Sequence, residues 1–210
     1  MTVEHDSAGR VAAVVFDYGQ VISEPPSAEA RDRLERLGGV PAADFWSAYW
    51  AERPGYDAGG TASGYWQRVA DRLGADWDPA HVQRLWAADV AAWLGICRDS
   101  AATLRRLATA GVRLALLSNA PHDLAGALRA APVLEPFDRL FFSCELGICK
   151  PDPAVYRHVL ADLGTPAEHT LFVDDREENV LAAKRLGIDA HHYAGARELD
   201  RFLAGRLGAF

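Results

Sequence analysis

Apolar residues gather in short runs along most of the chain, and each run stops at a polar or charged residue. Residues 11–16 (VAAVVF) form one such run, continuous and rich in β-branched side chains, ending at Asp17. That pattern predicts a strand covered on both faces, as in parallel sheets. Similar runs at 112–117, 139–142 and 170–173, with a weaker one at 188–192, predict further strands. Between them, residues 100–110, 123–130, 153–163 and 177–186 repeat apolar side chains at helical spacing, and Gly111, Gly164 and Gly187 stand at or just past helix ends. Strand and helix alternate, which predicts an α/β fold built on a doubly wound, Rossmann-like parallel sheet.

Residues 24–96 break the alternation. Their periodicity is helical almost throughout, and all six tryptophans of the chain (Trp46, Trp50, Trp66, Trp77, Trp86 and Trp93) fall inside them. Together with Phe45, Tyr49, Tyr56 and Tyr65 they predict a small helical unit with its own aromatic core, entered at Pro25-Pro26 and interrupted near Pro54-Gly55 and Gly59-Gly60. The expected organisation is a core of residues 1–23 and 97–210 with a helical cap of residues 24–96. An insertion after the first strand lies over the carboxyl ends of the strands, where open α/β sheets bind ligands. Arg53, Tyr56 and Asp57, in the expected break, are candidates to face that crevice, whereas the aromatic side chains are expected to serve as core.

Composition narrows the function classes. The chain has 210 residues, enough for one domain with an insertion, and 22 Lys plus Arg against 29 Asp plus Glu give a net charge of -7. That balance argues against nucleic acid as a partner. Residues 1–10 are polar with no apolar leader-like stretch, and no later apolar run approaches a membrane span, so a cytoplasmic protein without a membrane partner is expected. Cys97, Cys144 and Cys149 form no CxxC pair and indicate neither a disulfide framework nor a zinc site. Monomer and homodimer are both compatible with the sequence.

The chemistry sits at four strand ends. The first strand ends at Asp17 with Gly19 in the following turn; the second ends at Ser118-Asn119. After the third comes Glu145-Leu-Gly-Ile-Cys-Lys150-Pro151-Asp152-Pro153, where the prolines fix a turn and leave Lys150 at a helix mouth. The fourth ends at Asp174-Asp175, with Asn179 downstream. Asp17, Asp174 and Asp175 in one crevice repel one another unless a cation offsets them. Mg²⁺ prefers such oxygen donors, keeps several waters and commonly shares its shell with a substrate phosphate. A carboxylate nucleophile, a hydroxyl donor, a fixed lysine and a metal clamp are the parts phosphoryl transfer needs. His122 reads as a helix-start residue and His191-His192 as strand-end residues, outside the catalytic set.

This series, with DYGQVI at 17–22, LLSNA at 116–120, ELGICKPDPAVY at 145–156 and FVDDREEN at 172–179, resembles the haloacid-dehalogenase superfamily of phosphatases and dehalogenases. The wording is similar to the helical-cap branch that includes bacterial α-glucose-1-phosphate phosphatases. The resemblance implies that Asp17 attacks phosphorus and that Asp17 and Asp175 bind Mg²⁺ through side chains, with the Gly19 backbone carbonyl as a further ligand and Asp174 nearby. It implies that Ser118 binds the transferring phosphoryl group, that Lys150 bridges the charges, that Asn119 joins these two as a substrate-binding residue, and that Asn119 and Asn179 support the site. The implied substrate is a small phosphate ester. One departure stands out: family phosphatases usually carry an Asp two residues after the nucleophile as general acid, and here that residue is Gly19. Loss of that proton donor costs about 10²–10⁴ in rate and penalises esters with good leaving groups least, which favours sugar phosphates. Two rivals remain: a metal-independent 2-haloacid dehalogenase, which has little use for the Asp174-Asp175 pair, and a noncatalytic binding or regulatory protein of the same fold.

Overall fold

The computed structural model describes residues 11–210; the charged residues 1–10 lie outside the described residues. Five parallel strands, β1 (Ala13–Phe16), β2 (Leu114–Ser118), β3 (Arg139–Phe142), β4 (Thr170–Asp174) and β5 (Asp189–His192), form one sheet in the order β3-β2-β1-β4-β5. The helices are α1 (Ala28–Gly38), α2 (Ala42–Asp57), α3 (Ala62–Leu73), α4 (Pro79–Ala92), α5 (Arg98–Thr109), α6 (His122–Arg129), α7 (Ser143–Leu146), α8 (Pro153–Leu163), α9 (Glu177–Arg185) and α10 (Ala196–Leu207).

The strand residues alternate between two cores, because successive side chains leave opposite faces of a sheet. Val14, Phe16, Leu114, Leu116, Leu171 and Val173 pack on one face beneath α5, α6 and α10; Ala13, Val15, Ala115, Leu117 and Phe172 pack on the other beneath α8 and α9. Both faces are covered, which is why the strands read as continuous apolar runs. Helix α10 adds Leu199 and Leu203 to the first core and anchors to α5 through Thr103 Oγ1, which donates to Asp200 at 3.0 Å.

The register sets the site. Phe16 lies level with Leu116 of β2 and Val173 of β4, so the residues just beyond, Asp17 and Asp174, emerge side by side at the carboxyl edge with Ser118 close by on β2. The chain passes from β1 to β2 and β3 on one side, then crosses back to β4 and β5 on the other. The reversal at β1 opens a crevice at this edge, as it does in other open α/β sheets.

Helices α1–α4 share a separate core in which Phe45, Tyr49, Tyr65 and Trp66 are fully buried. The expected break at Pro54 is absent: α2 continues to Asp57. Pro54 sits in the last turn, where its missing N–H deprives the helix of one bond to the Trp50 carbonyl. That extra turn carries α2 down onto the sheet edge. Ser143 Oγ, at the start of α7, donates to the Asp57 carbonyl at 2.6 Å and accepts from Ala120 N at 3.0 Å, and Tyr56 Oη donates to Asp123 at 3.0 Å. Gly59 completes the contact: at φ 108° its backbone lies so near the Cys144 carbonyl that a Cβ would stand 3.0 Å from it. Two of the tryptophans also depart from the core expectation. Trp50 is 51% exposed and Trp93 half-buried, and both line the crevice.

Candidate active site

Between the strand ends and α2 lies a crevice of about 600 Å³. Asp17, Ser118, Lys150 and Asp175 line it from the sheet side, and Trp50, Arg53, Asp57 and Trp93 from the insertion.

Lys150 organises the sheet side. Its ammonium is almost fully buried; it donates to the Leu117 carbonyl at 2.8 Å and to Asp174 Oδ2 at 2.7 Å and forms an ion pair with Asp17 Oδ1 at 2.7 Å. Burial by itself lowers a lysine's pKa, but Asp17 and Asp174 outweigh it and hold Lys150 above its ordinary value. Asn119 fixes the lysine's backbone, its Nδ2 donating to the Lys150 carbonyl at 2.9 Å and its Oδ1 accepting from Lys150 N at 2.8 Å. The Asn119 amide is thereby engaged with the chain while still lining the crevice.

The three carboxylates are not equivalent. Asp174 is fully enclosed, with Oδ1 accepting from Arg176 N at 2.8 Å and Asn179 Nδ2 at 2.9 Å and Oδ2 from Lys150. Asp17 Oδ1 accepts from Tyr18 N at 2.7 Å and is ion-paired with Lys150, leaving Oδ2 with no hydrogen bond among the described residues. The carboxylate of Asp175 has no hydrogen-bonded side-chain partner among the described residues. One oxygen of each of the three lies within 4.8 Å of the others. Burial pushes the Asp17 carboxyl up to about 7; Lys150 opposes the shift, while Asp174 and Asp175 add to it. Asp175 is raised in the same way, first by burial and then by Asp174. Three acids against one lysine leave an excess of two negative charges.

Ser118 lines the crevice with a hydroxyl that makes no hydrogen bond among the described residues, so it is free to donate to an incoming oxyanion. Asn179 Oδ1 is buried without a partner beside Asp174. Gln20, not Gly19, takes the left-handed conformation, at φ 56°, and a Cβ at Gly19 would meet only Trp93, at an ordinary 3.8 Å. Space therefore does not demand glycine at this position.

On the insertion side, Arg53 Nε donates to Asp57 Oδ1 at 2.8 Å, and Nη1 reaches the Tyr49 hydroxyl and, at 3.3 Å, both oxygens of Asp89. Arg53 and Asp57 face the crevice as the sequence suggested; Tyr56 does not line it, its ring stacking on Tyr65 at 4.5 Å. Sequence patterning does not single out Asp89. The available signal was a lone carboxylate inside the otherwise apolar stretch LWAADVAA at 85–92. His122 is absent from the crevice lining, and His191 and His192 lie in β5.

Residues 9–187 match the model of the haloacid dehalogenase-like hydrolases. The chain is 39% identical over 90 residues to the sesquiterpene phosphatase astK of Aspergillus oryzae, covering 42% of this chain and 46% of that protein. It is 34% identical over 92 residues to (S)-2-haloacid dehalogenase 1 of a Pseudomonas species, covering 43% and 40% of the two. In each case it spans less than half of the relative's length. A haloacid-dehalogenase family enzyme of Bacteroides thetaiotaomicron, solved with magnesium and inorganic phosphate, superposes with a TM-score of 0.69 at 20% identity, covering 86% of this chain and 93% of that one. At that identity the likeness speaks for the fold alone. With a match across most of its length and Asp17, Ser118, Lys150 and Asp174-Asp175 gathered at one sheet edge, the chain belongs to the haloacid dehalogenase-like hydrolases.

Proposed function

We propose that this hydrolase is a magnesium-dependent phosphatase acting on a small phosphate ester through an aspartyl-phosphate on Asp17. The observation that carries the reading is the two-charge negative excess around an unbonded Asp17 Oδ2. A hard divalent cation matches that excess, and the donor set is all oxygen. Asp17 and Asp175 would hold it, with the Gly19 carbonyl as the backbone ligand suggested by family resemblance. Asp174 is engaged with Lys150, Asn179 and Arg176 and supports the site from beneath. The orphaned Asn179 Oδ1 fits a hydrated ion, whose waters are donors. When bound, the ion supplies charge neutralisation for the phosphoryl group.

The remaining chemistry belongs to the chain. Asp17 Oδ2 attacks phosphorus; the new O–P bond forms as the bond to the leaving oxygen breaks, and the departing group takes its proton from solvent because Gly19 offers none. Ser118 donates to a phosphoryl oxygen, and Lys150 holds Asp17 in line through Oδ1. Water then attacks the aspartyl-phosphate, releasing phosphate and restoring Asp17. Unassisted departure favours good leaving groups, among them the anomeric oxygen of a sugar 1-phosphate. A dehalogenase would direct the same Asp17 at carbon without a metal, where the carboxylate of Asp175, with no side-chain partner among the described residues, serves no purpose.

Phosphate release from glucose 1-phosphate, other sugar phosphates and p-nitrophenyl phosphate, with and without Mg²⁺, tests the proposal on the wild type and on Asp17→Asn. Mg²⁺-dependent release lost in the variant supports it. Halide release from a 2-haloacid without metal replaces it with dehalogenation, and silence in both assays from folded protein leaves a binding role.

A further inference from the structure

Arg53 is the one guanidinium lining the crevice that is more than nine-tenths buried, and its bonds are unevenly distributed. Nε and Nη1 are held by Asp57, Tyr49 and Asp89, whereas Nη2 makes no hydrogen bond among the described residues. Asp57 repeats the asymmetry: Oδ1 accepts from Arg53, and Oδ2 has no partner among the described residues. Neither free atom is enclosed by protein, since the side chains in question both line the crevice. A donor and an acceptor, four residues apart on one face of α2, thus stand across the crevice from Asp17.

Charge decides what suits them. The guanidinium faces two carboxylates, Asp57 and Asp89, which exceed its charge by one, so the cluster has no surplus positive charge to attract an anion. Burial holds the Asp57 carboxyl above its ordinary range even with Arg53 beside it, a sign that further negative charge is unwelcome. A leaving group bearing a carboxylate would meet Asp57 as a like charge. A prenyl chain would leave Nη2 and Oδ2 desolvated and unpaired, which hydrogen-bonding sites reject strongly. Hydroxyl groups donate and accept at once and carry no charge. The indoles of Trp50 and Trp93, 6.5 Å apart and nearly perpendicular, add apolar faces against which the C–H side of a ring can pack.

We propose that Arg53 and Asp57 form the leaving-group subsite of the crevice, taking a neutral polyhydroxyl group through Arg53 Nη2 and Asp57 Oδ2, with its C–H side against the exposed faces of the Trp50–Trp93 pair. The proposal rests on the phosphatase reading above and adds its substrate class: phosphate esters of neutral polyols, over those of hydroxyacids or prenyl alcohols.

The test compares kcat/KM for glucose 1-phosphate, phosphoglycolate, farnesyl phosphate and p-nitrophenyl phosphate in the wild type, Arg53→Lys and Asp57→Asn, each checked for folding by thermal melting. The wild type is expected to prefer glucose 1-phosphate to phosphoglycolate and farnesyl phosphate. Arg53→Lys should lower the ratio of kcat/KM for glucose 1-phosphate to that for p-nitrophenyl phosphate about tenfold, as for one lost buried hydrogen bond. Asp57→Asn should raise phosphoglycolate relative to p-nitrophenyl phosphate, also about tenfold, by removing a like charge. A general loss of packing scales all substrates together and moves neither ratio. A wild type that prefers phosphoglycolate or farnesyl phosphate, or ratios unmoved in both variants, overturns the subsite and leaves the phosphatase standing. Absence of release from every ester, p-nitrophenyl phosphate included, overturns the phosphatase reading itself. Should Arg53→Lys fail to fold, Asp57→Asn decides alone.

Discussion

A lysine at the strand ends and an arginine in the helical insertion each join two buried carboxylates, yet they turn different faces to the same crevice. Lys150 is spent on the Leu117 carbonyl, Asp174 and Asp17, and the excess around it is negative, with Asp17 Oδ2 unbonded. Arg53 keeps Nη2 in reserve, and Asp57 and Asp89 exceed its charge by only one. Similar inventories therefore give unlike surfaces: one lacks a cation, and the other offers paired hydrogen-bonding atoms. What separates them is how many carboxylates converge and how many donors the cation has left.

The largest effect that can break this contrast is at Asp17. Asp17→Asn is expected to lower phosphate release at least about 10⁴-fold, in line with losing a covalent nucleophile, measured as kcat/KM on p-nitrophenyl phosphate. A residual rate near wild type would place the nucleophile elsewhere.

Next comes the symmetry of the two clusters. Lys150→Met and Arg53→Met each strand two carboxylates, and breaking a buried pair costs about 3–5 kcal/mol. Chemical denaturation is expected to show comparable losses in both variants. Mg²⁺ should recover much of the loss in Lys150→Met, where Asp17 and Asp175 can take the ion, and little in Arg53→Met. Equal recovery in the two would erase the distinction drawn between them.

Gly19→Asp sharpens the account of the strand-end cluster, because the structure has room for a Cβ there. Restoring an acid is expected to raise turnover of esters with poor leaving groups by about 10²-fold, the lower end of general-acid effects. The gain should be much smaller for p-nitrophenyl phosphate, whose leaving group needs no proton. A uniform gain would point to some other effect of the substitution.

The smallest effect is a pH dependence. The Asp17 carboxyl, raised from 3.8 to about 7 by burial, binds its proton more tightly folded than unfolded. Its contribution to the stability of the metal-free protein is therefore fully present below about pH 4 and lost as pH rises through about 7. Mg²⁺ competes with that proton, so the rise in Tm on adding Mg²⁺ should be larger at pH 8 than at pH 5.5. The Arg53 cluster has no such demand, and a pH-independent rise would argue that the ion binds away from Asp17.

Legibility in the sequence divides along the same line. Asp17, Ser118 and Asp174 are visible because a buried parallel strand is a continuous apolar run whose carboxyl end is marked by the first polar residues, and Lys150 is visible from the turn that Pro151 and Pro153 fix. Helices α5, α6, α8 and α9 are visible from their periodicity, with ends shifted by a residue or two, whereas α10 has no counterpart among the predicted elements. The path of α2 through Pro54 is not, since local preference argues for a break and the docking of its last turn on Ser143 outweighs it. Trp50 and Trp93 read as core because all six tryptophans look alike in a pattern, and only packing decides which indole faces open space.

The sequence by itself determined the alternating α/β order, the helical interruption and the polar residues that end each strand, because these follow from spacings of a few residues along the chain. Tertiary structure alone decided which atoms stay free. That Asn119 is engaged with the Lys150 backbone, that Asp174 is enclosed while Asp175 is not, and that Asp89, 36 residues beyond Arg53, matches its charge all depend on groups brought together across long loops. Hydrogen bonds form at about 3 Å in space, and no local spacing encodes a contact between segments that only the folded sheet and insertion bring together.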